Sequence, residues 1–263
     1  MTTDGRQFPR DDRPVRRRGR PTKIRNGAFT GVIIMLSVVA AVVFGISVFF
    51  KVNHITVRGN SVYDVQTVLD ASGISQGDNL LSVSPAKVAA RIEALLPYVE
   101  HVRISRVLPD TIVLEITESD MIFSVQSQTG ETWLMNARGK MLEAVTEEKA
   151  AQYPMILGFA VIAPTPGEEA SASSPESLNA ALSLLEAIDG TGLADKIAKV
   201  DAGKSYDLTL WYEEQFEIRL GTVQELEYKI KYLQAVLKEL KEHQTGTIDL
   251  TFQDEKVAKF VPW

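Results

Sequence analysis

Between Asn26 and Phe50 the chain runs for 25 residues without a charge, NGAFTGVIIMLSVVAAVVFGISVFF. A helix rises ~1.5 Å per residue, so roughly 20 apolar residues cross a ~30 Å hydrocarbon core. The run predicts one membrane-crossing helix over 26–50, with Val32, Ile33, Ile34, Leu36, Val38, Val39, Val42, Val43, Phe44 and Ile46 carrying the span. A cleaved signal peptide has a shorter apolar core of ~7–15 residues and a small-x-small exit. Here Phe44, Ile46, Val48, Phe49 and Phe50 fill the exit, which favours a retained signal-anchor. A buried core helix is seldom this long and uncharged.

Beyond the span the period changes. Val52–Val57 alternates as a strand, and Gly59-Asn60 turns it. Ser61-Val62-Tyr63-Asp64 reads as a capping box before a helix through Val65, Val68 and Leu69 that stops near Gly73. Ser84-Pro85 starts a second helix with Val88, Ile92, Leu95 and Leu96 on its apolar face, and Pro97 ends it. Two strands follow, through Val102 and Ile104 and through Ile112, Leu114 and Ile116, joined by a turn at Leu108-Pro109-Asp110. The order β-α-α-β-β predicts a small domain over 51–119, with two helices on one face of a three-stranded sheet.

The rest, 120–263, reads as a β-rich domain with packed helices. Met121, Phe123 and Val125 alternate, Thr132–Met135 and Met141–Val145 form a hairpin, and Ala163–Ser174 reads as an exposed loop. Ser174-Pro175-Glu176 opens a helix that Gly190 closes. Ile197–Asp201, Leu208–Tyr212 and Phe216–Leu220 read as strands of one antiparallel sheet. Thr222-Val223-Gln224-Glu225 resembles a capping box before Leu226, Ile230, Leu233, Leu237 and Leu240. That seam lasts under three heptads, so it favours a helix packed on the sheet over a coiled coil. Two strands close the chain, Thr247–Phe252 and Lys256–Val261.

Charge sets the orientation. Residues 1–26 hold nine Arg or Lys against three Asp, whereas the whole chain is net −6. Basic residues beside a span stay cytoplasmic. The tail, 1–25, is expected to be disordered and inside, with the large acidic part outside. The span accounts for the Arg-rich tail more simply than nucleic-acid binding does. With no Cys, the chain carries no disulfide or thiolate chemistry. Its three histidines, His54, His101 and His243, lack metal spacing, and no nucleophile elbow, P-loop or dinucleotide fingerprint occurs. No cofactor, metal or catalytic residue is expected. A pair of carboxylates meeting in space stays open.

What remains is binding. A strand at the end of a sheet leaves one row of N–H and C=O groups unpaired. Lys256 and Lys259 blunt such an edge, while Phe252, Val257, Phe260, Val261 and Trp263 are apolar or aromatic. Two readings follow from the residues: a platform for a partner's strand, or side chains facing the sheet's own core.

KVNHITVRGN, two helices and RVLPDTIVLEITES resemble a POTRA domain, and POTRA directly after one signal-anchor resembles the bacterial FtsQ/DivIB cell-division family. TWLMNARGKML, YPMILGF, FEIRLG and Ile248-Asp249-Leu250 continue the resemblance in order over roughly 27–263. The chain departs where the family often has Glu-Arg-x-Pro, here Glu118-Ser119-Asp120-Met121, and where Arg often follows "I-D-L", here Thr251. The resemblance implies an α+β protein: a transmembrane helix, a POTRA domain and a C-terminal mixed sheet over 120–263. It implies a non-enzymatic scaffold in the cell membrane at the septum that holds an FtsB/DivIC-type partner, with FtsL, through its last strands. The competing expectations are an anchored cell-envelope hydrolase, marked by clustered carboxylates or a Ser/His pair in a cleft, and a POTRA-type export chaperone.

Overall fold

The structure, a computed structural model, describes residues 27–241, 244–251 and 258–263. The expected disordered tail lies outside them, as do His243, Phe252, Lys256 and Val257. Helix α1, Gly27–Phe49, is unbroken and carries no charged side chain along its length. All ten residues assigned to the span are solvent-exposed side chains on α1. By length and composition the helix can cross a membrane.

The next layer is built from β1 (His54–Arg58), α2 (Val65–Ser72), α3 (Pro85–Leu95), β2 (Val99–Val107) and β3 (Thr111–Glu118). The strand order is β1-β3-β2, with β1 parallel and β2 antiparallel to β3. Alternation puts Val102, Ile112, Leu114 and Ile116 on the covered face, where they meet Val68, Val88, Ile92 and Leu96. Leu95, expected in this core, is instead 57% exposed. Helix α2 is capped by Asp64, whose Oδ1 accepts the Thr67 N–H at 2.7 Å, and it ends at Gly73 with φ 65°. Ser61 does not cap it. Its N–H and hydroxyl donate to Glu118, as do the N–H groups of Val62 and Tyr63. Burial works to raise the Glu118 carboxyl, and these four donors outweigh it and hold the group below its ordinary range.

A second core lies under β4 (Ile122–Gln126), β5 (Thr132–Asn136), β6 (Met141–Val145), α4 (Glu147–Ala150), β7 (Met155–Leu157), α5 (Pro175–Ile188), β8 (Ile197–Asp201), β9 (Leu208–Tyr212), β10 (Phe216–Gly221), α6 (Leu226–Glu239), β11 (Gly246–Asp249) and β12 (Lys259–Pro262). These strands form one sheet in the order β12-β11-β10-β9-β8-β7-β4-β5-β6. The sheet is mixed. The joins β4·β7, β7·β8 and β10·β11 are parallel and the others antiparallel. Leu178, Ala181, Leu185 and Ile188 of α5 and Leu226, Ile230 and Leu233 of α6 bury against it.

Residues 222–225 do not form the expected capping box. Glu225 sits at φ 55° before α6, and the buried Lys229 ammonium donates to the carbonyls of Leu220 (2.7 Å) and Thr222 (2.9 Å). The loop 163–174 is largely exposed, as its composition predicts, and it is also held in place. It lies along β6, with Met141 donating to the Glu168 carbonyl and accepting from Gly167, both at 2.8 Å.

Polar contacts join the two layers. Lys140, in the β5–β6 turn, donates to the Glu93 carbonyl (2.6 Å) and the Val99 carbonyl (3.0 Å), and burial lowers its pKa. Tyr98 donates its hydroxyl to Glu143, which Lys149 also holds at 2.6 Å. Burial first, then that carboxylate, push the Tyr98 phenol well above its usual range.

Candidate partner-binding edge

The nine-stranded sheet has two ends, β6 and β12, and they are finished differently. At the β6 end the chain's own loop supplies backbone partners to Gly139 and Met141. At the other end β12 pairs antiparallel with β11, and among the described residues no strand lies on its outer side.

The register fixes which groups face out. Gly246 lies opposite Pro262, Thr247 opposite Val261, Ile248 opposite Phe260 and Asp249 opposite Lys259. The Trp263 N–H donates to the Thr245 carbonyl at 3.3 Å. Antiparallel pairs alternate between bonded and non-bonded. Lys259, Val261 and Trp263 therefore turn their backbone groups toward β11. Phe260 turns both its N–H and its C=O outward, and Pro262, without an N–H, offers a carbonyl only. The close fit of β12 on β11 needs a glycine at 246, where an added Cβ would lie 2.9 Å from Pro262 Cα and closer still to the Val261 carbonyl oxygen.

Side chains divide by parity. Phe260 is half-buried, its ring tilted against Phe216 at 6.4 Å, and it packs onto the sheet's core. For this residue the core-facing reading holds. Val261 and Trp263 point the other way, 56% and 64% exposed. The Trp263 indole N–H donates to Thr247 Oγ1 at 3.1 Å, which lays the ring along the open face of the sheet. Lys259 is exposed beside them. Of the seven residues expected to bind a partner, the structure thus brings Lys259, Phe260, Val261 and Trp263 together, while Phe252, Lys256 and Val257 fall outside the described residues.

The open face extends the edge inward, and the sequence reading missed this. Lys199, Trp211, Glu217, Thr247 and Val261 stand opposite one another across β8 to β12. The Lys199 ammonium lies 3.7 Å from the Trp211 ring centroid. Glu217 pairs with Arg219 at 3.0 Å, two residues along β10. The signal was present: in LTLWY, Leu208, Leu210 and Tyr212 are buried, and parity places Trp211 on the other face.

A cleft of about 550 Å³ lies between the smaller domain and α5, lined by Glu100, Asp120, Arg138, Glu186 and Asp189 among others. Glu100 is paired with Arg138 at 2.5 Å, and Asp120, Glu186 and Asp189 are exposed. Among the described residues, no three His, Cys, Asp or Glu are grouped to hold a metal.

Two family models match the chain in succession. "POTRA domain, FtsQ-type" covers residues 50–119, and "Cell division protein FtsQ/DivIB, C-terminal" covers residues 124–251. The chain belongs to the FtsQ/DivIB family of cell division proteins. Similar proteins come from distant bacteria. Cell division protein FtsQ of Corynebacterium glutamicum is 27% identical over 210 residues, 79% of this chain and 88% of that protein. The FtsQ of Geotalea daltonii is 24% identical over 269 aligned positions, 96% and 93% of the two chains. Cell division protein DivIB of Clostridium botulinum is 22% identical over 212, covering 80% and 81%. The layer from β1 to β3 is thus a POTRA domain of the FtsQ type, and the apolar N-terminal helix fits a single-pass membrane division protein. The second match ends at Thr251, so β12 lies beyond the stretch that the FtsQ/DivIB model covers.

Proposed function

We propose that this FtsQ/DivIB family member is a non-enzymatic scaffold of the division machinery. Its span anchors it in the cell membrane, with residues 1–25 cytoplasmic and the POTRA and sheet domains outside, at the septum. It holds an FtsB/DivIC-type partner, together with FtsL, by accepting a strand along β12 and so supports septal wall synthesis. The observation that carries the reading is the unequal finish of the sheet: the β6 edge is occupied by the chain's own loop, and the β12 edge offers Phe260 N–H and C=O beside an exposed Trp263. An open edge with an aromatic anchor is what strand addition uses.

The test is removal of residues 252–263 from the full-length protein. Capture of the FtsB/DivIC-type partner is abolished while membrane insertion persists; undiminished capture refutes the reading. The four carboxylates of the 550 Å³ cleft favour a second reading, glycan hydrolysis. A glycosidase pair needs one acid in an apolar, water-excluded setting. Glu100 is engaged by Arg138 and the other three face water, so none of the four has that setting.

A further inference from the structure

We infer that the end of the POTRA domain nearest the anchor is a phospholipid-contacting surface, with Leu81 and Leu108 seated in the headgroup layer. This rests on the reading that α1 crosses a membrane. The three residues that follow α1 are bonded into the loop between α2 and α3. Leu80 N–H donates to the Phe50 carbonyl, Val52 N–H to the Asp78 carbonyl and Gly77 N–H to the Val52 carbonyl, each at 2.8 Å. A bridge pairs Lys51 with Asn79. The β2–β3 turn is tied to the next two residues. Asn53 N–H donates to the Asp110 carbonyl at 2.9 Å and His54 N–H to the same oxygen at 3.3 Å. Both loops are therefore held within a few residues of where the chain leaves α1. The Arg106 guanidinium, next to last in β2, donates to the Val83 carbonyl and ties the end of that strand to the α2–α3 loop.

At ~1.5 Å per residue, the 23 residues of α1 span slightly more than a ~30 Å hydrocarbon core, which places Phe49 and Phe50 at the boundary. The headgroup region extends roughly 5–7 Å beyond it on each side. A loop bonded directly to Phe50 and Val52 lies in that layer.

The side chains suit it. Leu81 in the α2–α3 loop, Val107 at the end of β2 and Leu108 in the turn after it are 44%, 52% and 60% exposed, three large apolar groups at this end of the domain. Lys51, Lys87 and Arg106 are exposed around them, matched to lipid phosphates, against Asp78 and Asp110. Both acids are occupied locally: the Asp78 carboxylate accepts the Ser75 N–H, and that of Asp110 accepts from Asn53 and Thr111. A bilayer is the one occupant that chain connectivity brings to this patch without a second protein.

The chain has no native Cys, so single labels are specific. Full-length Leu81→Cys, Leu108→Cys, Val38→Cys and Val223→Cys would each carry an environment-sensitive fluorophore. They would be reconstituted in vesicles of equal parts phosphatidylglycerol and phosphatidylcholine with a brominated fraction. Val38 reports the span and Val223, exposed on the sheet domain, reports water. Bromine quenching at 81 and 108 at least threefold that at 223 supports the surface. Quenching at 81 and 108 equal to that at 223, with 38 strongly quenched, overturns it and leaves the anchor standing. An unquenched label at 38 overturns the anchor reading itself.

Discussion

Replacing Trp263 by Ala separates binding from folding. The indole is 64% exposed, and its one described hydrogen bond, to Thr247 Oγ1 at 3.1 Å, is itself at the surface. Such a bond contributes at most about 1 kcal/mol. With ~2–4 °C of Tm per kcal/mol for a chain of this size, the melting point falls by no more than about 4 °C. In a complex formed along β12 the same ring becomes a buried anchor. Losing an aromatic anchor costs ~2 kcal/mol or more, which is about a 30-fold rise in Kd. Phe260→Ala behaves in the opposite sense. Its half-buried ring against Phe216 supports the fold, so it lowers stability by roughly 1–3 kcal/mol. Calorimetric titration against an FtsB/DivIC-type ectodomain, run beside thermal melts of both variants, reads the split. Trp263→Ala with unchanged Tm and a Kd within threefold of the parent refutes the reasoning.

Gly246→Val drives a side chain into the backbone of β12, so this strand detaches while the remaining eight keep their pairing. Limited proteolysis then releases a short C-terminal peptide and leaves the rest resistant; an unaltered digestion pattern contradicts the packing described. Acid sensitivity of the POTRA layer follows from Glu118. Its folded carboxyl titrates below the ordinary 4.5, so the stabilisation is present above that pH and is lost as pH falls through the folded value. Urea midpoints accordingly drop between about pH 5 and pH 3, and Glu118→Gln lowers the neutral-pH midpoint and flattens the drop; parallel curves for parent and variant count against this role.

Much of the architecture was legible because it rests on local period. Alternation marked β3 through Ile112, Leu114 and Ile116, and Ser174-Pro175 marked the start of α5. What local pattern missed was set by distant partners. Ser61 carries the signature of a cap, but Glu118, 57 residues away, takes its donors, and Asp64 caps α2 instead. Thr222 to Glu225 read as a cap as well. The Lys229 ammonium draws the Leu220 and Thr222 carbonyls onto the flank of α6, and the helix begins only at Leu226. The sheet order, with β7 inserted between β4 and β8, has no trace in period, since parallel neighbours are chosen by packing. At the edge, hydrophobicity identified Phe260, Val261 and Trp263 as a group. Only the register with β11 shows that Phe260 faces inward and the other two outward.

The central claim is that another chain hydrogen-bonds to the outer side of β12, and amide exchange at Phe260 tests it most directly. In the free protein the Phe260 N–H faces outward and exchanges quickly, while the Val261 N–H is held by β11. Binding of the FtsB/DivIC-type partner slows the Phe260 amide by at least tenfold and changes Val261 little. A complex of full affinity in which the Phe260 amide exchanges as fast as before contradicts the account.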